Sequence, residues 1–288
     1  MHNYIMMGDT MRLYLANSSS QNRGGGWSFI ANFKKGMGNE ITEDYAEATH
    51  YFISGATMVS RDEVLQAKQD GKKIVLRVDN AVRNSRNRNT GMSRMKDFAG
   101  WADLVVCQSY WAFAYLGEFL KLERSAIILN GIDLDLFRSE PGQENIILYS
   151  RFNRDETKNW EVARYWFSRH HTPHQRKLLI VGNFSDELKN GNFDFYNGEQ
   201  YEYLGALDAP NMAKIYRLAG KFLYTYYNDA CSNSLIEALC SGCEIVGDEY
   251  YRTTGGAPEI LDNFYEHGRE YFSLRRMCNE YREVLNAV

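Results

Sequence analysis

Short apolar runs recur along the chain, and between them lie stretches whose apolar residues are spaced three and four apart. The first pattern predicts strands buried on both faces, the second amphipathic helices. Strands are expected at Arg12–Ala16, His50–Ile53, Lys73–Val78, Leu104–Cys107 and Ala126–Leu129. Helical spacing follows the first strand in Trp27, Ile30, Ala31 and Lys34, and precedes the third in Val64, Leu65 and Lys68. The breaker pair Pro141-Gly142 closes this series. A second series has strands expected at Asn145–Tyr149, Lys177–Val181, Tyr201–Leu204, Lys221–Tyr224 and Glu244–Val246.

Strands alternating with helices mark βαβ units and parallel sheets. Two such series of similar size predict an α/β protein of two Rossmann-like domains facing a cleft, with ligands at the carboxyl ends of the strands. The expected division is residues 1–140 and 141–264, with a helical segment 265–288 returning to the first domain.

Composition narrows the function. A chain of 288 residues can bury two cores, and 44% hydrophobic with 24% charged residues excludes a disordered or fibrous protein. The net charge of −4 excludes attraction of the whole chain to DNA or an anionic membrane, so such a partner must meet a local patch. No apolar run approaches the roughly 20 residues of a membrane-spanning helix, which leaves only peripheral membrane contact open. Residues 1–10 lack the basic start and apolar run of a secretory signal, so a cytoplasmic location is expected. Five scattered cysteines, an odd number, read as reduced thiols.

The most informative segment runs from Asn228 to Cys243. Asp229 and Glu237 flank a turn-like stretch that leads into a helix, with Ser232 or Asn233 as its N-cap, expected to begin at a strand end. Free N–H groups and the positive dipole end of such a helix can hold a diphosphate, while carboxylates just before and one turn inside can reach sugar hydroxyls. This local geometry suggests a nucleotide-sugar site.

The segment resembles the retaining GT-B glycosyltransferases of glycosyltransferase family 4. Their pattern is two acids separated by seven residues, an Ala-rich helix, a Gly, a strand, then Gly-Gly-x-Pro-Glu. Here it corresponds to Asp229, Glu237, Gly242, Glu244–Val246 and Gly255-Gly256-Ala257-Pro258-Glu259. Asn130-Gly131-Ile132-Asp133 with Phe137, and Ala102 to Ser109, are similar to further family segments, so the resemblance covers most of the chain. Asp229 departs from the usual Glu and shortens the carboxylate by about one methylene.

The resemblance implies roles for individual residues. Arg151 and Lys158, with Arg154 as a substitute, would neutralise the donor's phosphates and stabilise charge growing on the leaving diphosphate. Gly25 and Gly26, in the triplet Gly24–Gly26 between strand and helix, allow close approach to a phosphate or sugar. Asp79 either orients the acceptor hydroxyl or the donor's 6-position, or caps a turn. Backbone groups around Leu204 and Gly205 would read the base of a UDP- or GDP-linked donor. No enzymic nucleophile is implied: the leaving phosphate receives the acceptor proton. No cofactor or metal is expected, and Asp133-Leu-Asp135, Cys240-Ser-Gly-Cys243 and His170-His171-Thr-Pro-His174 read as structural.

The stretch Val82 to Lys96 contains Arg83, Arg86, Arg88, Arg94 and Lys96, with no acid until Asp97. This local positive patch suggests an anionic acceptor: nucleic acid, including a DNA base modified as bacteriophage enzymes do, a lipid-linked phosphate, or an acidic glycan. The alternatives are a solvated loop for the patch, and for the chain a nucleotide-sugar or nucleic-acid binding protein whose transferase site has decayed.

Overall fold

A computed structural model describes residues 11–17, 25–78, 88–152, 158–170, 177–183 and 201–288, with the backbone alone at 25, 26 and 88–90. The chain divides into two units, residues 1–129 with 274–288 and residues 130–273.

The first unit carries β1 (Leu13–Leu15), α1 (Gly25–Met37), β2 (Ile41–Thr42), β3 (His50–Ile53), α2 (Arg61–Gln69) and β4 (Lys73–Val78). It continues through α3 (Arg88–Trp101), β5 (Leu104–Cys107), α4 (Tyr110–Leu120) and β6 (Ser125–Ile127). The strands form one parallel sheet in the order β2-β1-β3-β4-β5-β6. Strand order turns back between β1 and β3, the point where open α/β sheets bind ligands. Helix α2 starts where Ser60 and Glu63 form a reciprocal capping box, the Ser60 hydroxyl accepting from the Glu63 N–H at 3.2 Å and the Glu63 carboxylate accepting from the Ser60 N–H at 2.6 Å.

The second unit carries β7 (Gln143–Phe152), α5 (Trp160–His170), β8 (Lys177–Gly182), β9 (Tyr201–Gly205), α6 (Ala209–Leu218) and β10 (Ala219–Leu223). Then follow α7 (Asn233–Cys240), β11 (Glu244–Val246), α8 (Glu249–Arg252) and α9 (Ala257–His267). Its parallel sheet has the order β11-β10-β7-β8-β9, so the direction reverses between β7 and β10. A 3-10 turn at Arg269–Phe272 leads to the last helix, α10 (Leu274–Leu285).

Helix α10 belongs to the first unit because its apolar face completes that core. Met277, Cys278, Tyr281 and Leu285 are buried among Phe29 and Phe33 of α1, Phe52 of β3 and Val75 of β4. The Tyr281 ring meets Phe33 edge-on at 4.8 Å. A Cβ at Gly36 would fall 2.3 Å from Cys278 Sγ, so any larger residue at this crossing of α1 and α10 would have to displace that thiol. At the rim Arg282 Nε donates to Glu40 at 2.8 Å and Nη2 to the Gly36 carbonyl at 2.9 Å.

Several expected strands coincide with the observed ones, such as His50–Ile53, Lys73–Val78, Leu104–Cys107 and Glu244–Val246. Strand β2 has no apolar run to announce it. The breaker Pro141-Gly142 does not mark the division of the units, because the preceding segment is already bonded into the second one. The Ile132 N–H donates to the Phe272 carbonyl at 2.8 Å, and the Phe137 ring meets Tyr216 edge-on at 6.0 Å. Residues 265–273 also lie in the second unit, so the tail crosses at 273/274 rather than 264/265.

Candidate active site

Within the second unit, several of the anticipated donor residues gather past the carboxyl ends of β7 and β10, at the reversal in strand order. Arg151 lies in β7 and Lys158 shortly beyond it; Asp229 follows β10. Leu204 and Gly205 close β9, where Gly205 has φ +72°. Adjacent strands thus carry residues far apart in sequence to one edge of the sheet.

Strand β7 shifts register between Tyr149 and Phe152, and Arg151 adopts φ +61°, a left-handed conformation rare outside glycine. Such a bulge re-aims a side chain at the end of a strand. Burial works against the Arg151 charge, but the carboxylates of Asp229 and Glu237 outweigh it and hold the pKa above the ordinary value.

Lys158 and Asp229 form a buried ion pair. The ammonium donates to Asp229 Oδ2 at 2.7 Å, with side-chain exposures of 2% and 8%. The ammonium also lies over the Tyr226 ring, 4.4 Å from its centroid, and Tyr226 in turn donates its hydroxyl hydrogen to the Ser150 carbonyl at 2.5 Å. The backbone of Lys158 is clamped, since its carbonyl accepts from Tyr149 Oη at 2.9 Å and Thr225 Oγ1 at 2.8 Å. Asp229 is held from the other side by the Gly255-Gly256 turn: its carbonyl accepts from the Gly256 N–H at 2.9 Å. With φ +64° and a would-be Cβ only 2.7 Å from the Asp229 carbonyl oxygen, Gly255 must be glycine for this contact.

Helix α7 does not begin at a strand end, because the segment 224–232 intervenes after β10. Ser232 occupies the N-cap position, yet its hydroxyl makes no capping bond and instead meets Ser234 Oγ at 3.2 Å. Asn233 accepts from Asn130 Nδ2 at 2.7 Å, and the same amide reaches the Cys231 carbonyl at 3.3 Å. Asn130 therefore braces the start of α7. Every residue of α7 is buried except Glu237, which is partly exposed. Tyr216 of α6 reaches it, with Oη 3.2 Å from Glu237 Oε2 and 3.2 Å from the Ser234 carbonyl.

Burial pushes the Glu237 carboxyl up to about 7, against the pull of Arg151 and the Tyr216 hydrogen bond. The folded protein therefore binds this proton more tightly than the unfolded chain does. Stability linked to Glu237 is full below the ordinary carboxyl value of 4.5 and is lost as pH rises through about 7. The shift corresponds to about 3 kcal/mol. Denaturant unfolding across this interval should show the loss in the native chain and a flatter profile in Glu237→Gln; parallel profiles would assign the proton to another group.

Gly25 and Gly26 form the first turn of α1. Asp79, Arg83, Arg86 and Arg154 lie outside the described residues, and of Arg88 only the backbone in α3 is described. Arg94 is partly buried, with Nη1 3.4 Å from the Val59 carbonyl; Lys96 lies over the Phe119 ring. Asp133 Oδ1 accepts from the Asp135 N–H at 3.2 Å in a local turn. Cys240 and Cys243 are buried, which pushes both thiols up to about 12. His170 stacks on Trp166, and residues 171–174 are outside the described set. No cluster of three or more His, Cys, Asp or Glu that could hold a metal occurs among the described residues.

Sequence reasoning missed Tyr216 and Tyr226, whose large apolar rings read as core, and it missed Arg77. Arg77 is buried within the apolar run of β4, its guanidinium 3.7 Å from the Phe29 ring centroid and its Nη1 donating to the Ser54 carbonyl at 3.2 Å. A single charge inside a strand run was the signal.

Two parallel-sheet α/β units of this kind define the GT-B glycosyltransferase fold, and solved structures bear this out. HepE of Anabaena, solved with UDP, is similar over 96% of this chain and 100% of its own, with a TM-score of 0.72 at 12% identity. Sucrose-phosphate synthase of Thermosynechococcus elongatus has a TM-score of 0.64 at 15% identity, covering 96% of this chain and 94% of its own. AviGT4, a glycosyltransferase involved in avilamycin A biosynthesis, has a TM-score of 0.62 at 13% identity, covering 96% and 97%. At these identities the likeness concerns the fold. No protein-family model matches the chain, and no curated protein matches it. No described helix is long and apolar enough to cross a membrane.

Proposed function

We propose that the protein is a retaining glycosyltransferase of the family 4 type, moving a hexose from a nucleotide sugar to an acceptor hydroxyl. The observation that carries this reading is the convergence of Arg151, Lys158, Asp229 and Glu237 at the strand-order reversal of the second sheet. The second unit then binds the donor and the first the acceptor. The UDP and UDP-glucose held by HepE support uridine diphosphate as the carrier. The cysteines, all buried as thiols, fit a cytoplasmic enzyme.

In this mechanism the bond between the sugar's anomeric carbon and the diphosphate oxygen breaks. The acceptor oxygen bonds to the same face of that carbon, and its proton passes to the leaving diphosphate. Arg151 and Lys158 stabilise the charge that grows on the diphosphate. Glu237 accepts hydrogen bonds from the ribose, and the N-terminus of α7, with Ser232 and Asn233, faces the phosphates. Asp79 acts on the acceptor hydroxyl or the sugar.

The test is hydrolysis and transfer across a panel of UDP- and GDP-sugars, with sugar released or transferred as the readout. Nucleotide binding without turnover would leave a binding protein in which the site has decayed. Because Arg151 and Lys158 supply the positive charge, activity is expected to persist in EDTA. Activity abolished by chelation and restored by magnesium or manganese would replace the two cations with a metal.

The acceptor is proposed to be anionic, met by Arg83, Arg86, Arg88 and Arg94. Changing Arg86 and Arg88 to Glu should weaken acceptor use while sparing donor hydrolysis. With a DNA acceptor, binding should fall steeply with salt, and each lost phosphate contact should reduce the log–log slope by roughly 0.9. Full transfer by the double variant, with no salt response, would favour a neutral glycan.

A further inference from the structure

We propose that Tyr216 is a positioning residue of the donor site: its hydroxyl, shared between the Ser234 carbonyl and Glu237 Oε2, keeps the Glu237 carboxyl an acceptor for the nucleotide's sugar hydroxyls. This rests on the donor reading of Glu237 given above.

Tyr216 is fully buried on α6, and its ring packs against Phe137 and Phe222. A phenol carried only for packing could be phenylalanine, yet this hydroxyl spans from the α7 backbone to the one residue of α7 that is not buried. Both contacts are 3.2 Å, so one hydrogen is shared between two acceptors, a carbonyl and a carboxyl. Burial keeps the Tyr216 phenol well above its ordinary value, so it stays a neutral donor wherever Glu237 titrates. A donor that cannot release its proton favours the ionised carboxyl as its partner.

The other groups around Glu237 have different parts. Arg151 approaches from β7 and also favours the carboxylate. Tyr226, beyond β10, lies close enough to Tyr216 to raise its pKa. Cys240, one turn further along α7, stays a thiol with its pKa pushed up to about 12, and Arg269 and Glu270 act on it from the 3-10 turn. Tyr216 is the neutral donor in this set with a hydrogen bond to the Glu237 carboxyl. The ionised carboxyl accepts through both oxygens and with charge, whereas the neutral one spends an oxygen as a donor, so capture of the nucleotide strengthens with ionisation.

The experiment follows the Glu237 side-chain carboxyl by carbon-13 NMR in the full chain, assigned by its loss in Glu237→Gln, alongside uridine binding across pH. Uridine is the probe because it has no phosphate to titrate in the same range. In Tyr216→Phe the Glu237 midpoint should move up. Uridine affinity should fall about fivefold near neutral pH, the worth of one hydrogen bond, and recover in mildly alkaline buffer. Should the phenylalanine variant fold poorly, 3-fluorotyrosine at position 216 keeps the packing and strengthens the donor, and the midpoint should move down.

An unmoved Glu237 midpoint, with uridine binding weakened equally at every pH, would reduce Tyr216 to a packing residue and overturn the proposal. A shifted midpoint with uridine binding indifferent to pH in both proteins would also overturn it, and would remove the ribose from Glu237. An unmoved midpoint with native uridine binding still following Glu237 would leave the donor reading standing and discard Tyr216 alone.

Discussion

Replacing Asp229 by alanine is expected to destabilise the second unit by about 3–5 kcal/mol, the cost of leaving a buried charge without its counter-ion. The Lys158 ammonium is 2% exposed and donates to Asp229 at 2.7 Å. Its neighbour Arg151 carries the same charge and is held by the same carboxylate. Removing Asp229 therefore leaves the buried Lys158 ammonium without its counter-ion and Arg151 with Glu237 as its remaining carboxyl partner. Lys158→Met should cost less, because Arg151 remains to compensate Asp229. Combining the two substitutions should recover a large part of the loss, since the buried Lys158 charge disappears with its partner. Denaturant unfolding of the two single variants and the double variant measures the coupling. Losses that simply add would mean the pair contributes nothing as a pair, and equal losses in the single variants would contradict the asymmetry argued here.

The second large effect is expected at Arg151. If its guanidinium stabilises charge that grows on the leaving diphosphate, Arg151→Ala should lower turnover about 10²–10³-fold, as removal of a preorganised charge-stabilising donor does. Donor affinity should fall less, because the diphosphate carries only part of that charge before the bond breaks. Arg151→Gly should lose activity to the same extent while being more stable than the alanine variant by about 1–2 kcal/mol, since glycine adopts the left-handed conformation without strain. Steady-state turnover and equilibrium donor binding, measured on the same preparations, separate the two effects. Affinity lost with turnover intact would turn Arg151 into a binding residue only.

Both predictions concern groups that the sequence located singly but could not join. Asp229, Glu237, Arg151 and Lys158 stand in recognisable order along the chain, and the alternation of strands and helices around them is legible because parallel strands are continuous apolar runs. The turn at Gly255-Gly256 is equally legible. Its contact with the Asp229 backbone is not, because that contact depends on where α9 is set down after β11. Tyr216 illustrates the opposite failure. It lies at a helical spacing that reads as core, and its ring is core; only the packing of α6 beside α7 turns its hydroxyl into a partner for Glu237.

By itself, then, the amino-acid order determined two α/β series, the acidic and basic candidates, and the glycines required at tight turns, since each is written in residues close together. The tertiary structure alone decided that Lys158 and Asp229, 71 positions apart, meet in a buried hydrogen-bonded ion pair, because β10 lies beside β7 in the sheet. It also decided that Arg151 sits on a bulge in a left-handed conformation, and that the units divide at 129/130 and 273/274. Strand order, bulges and the docking of α10 on α1 come from burial shared between distant segments, and no local pattern encodes which distant segment will share it.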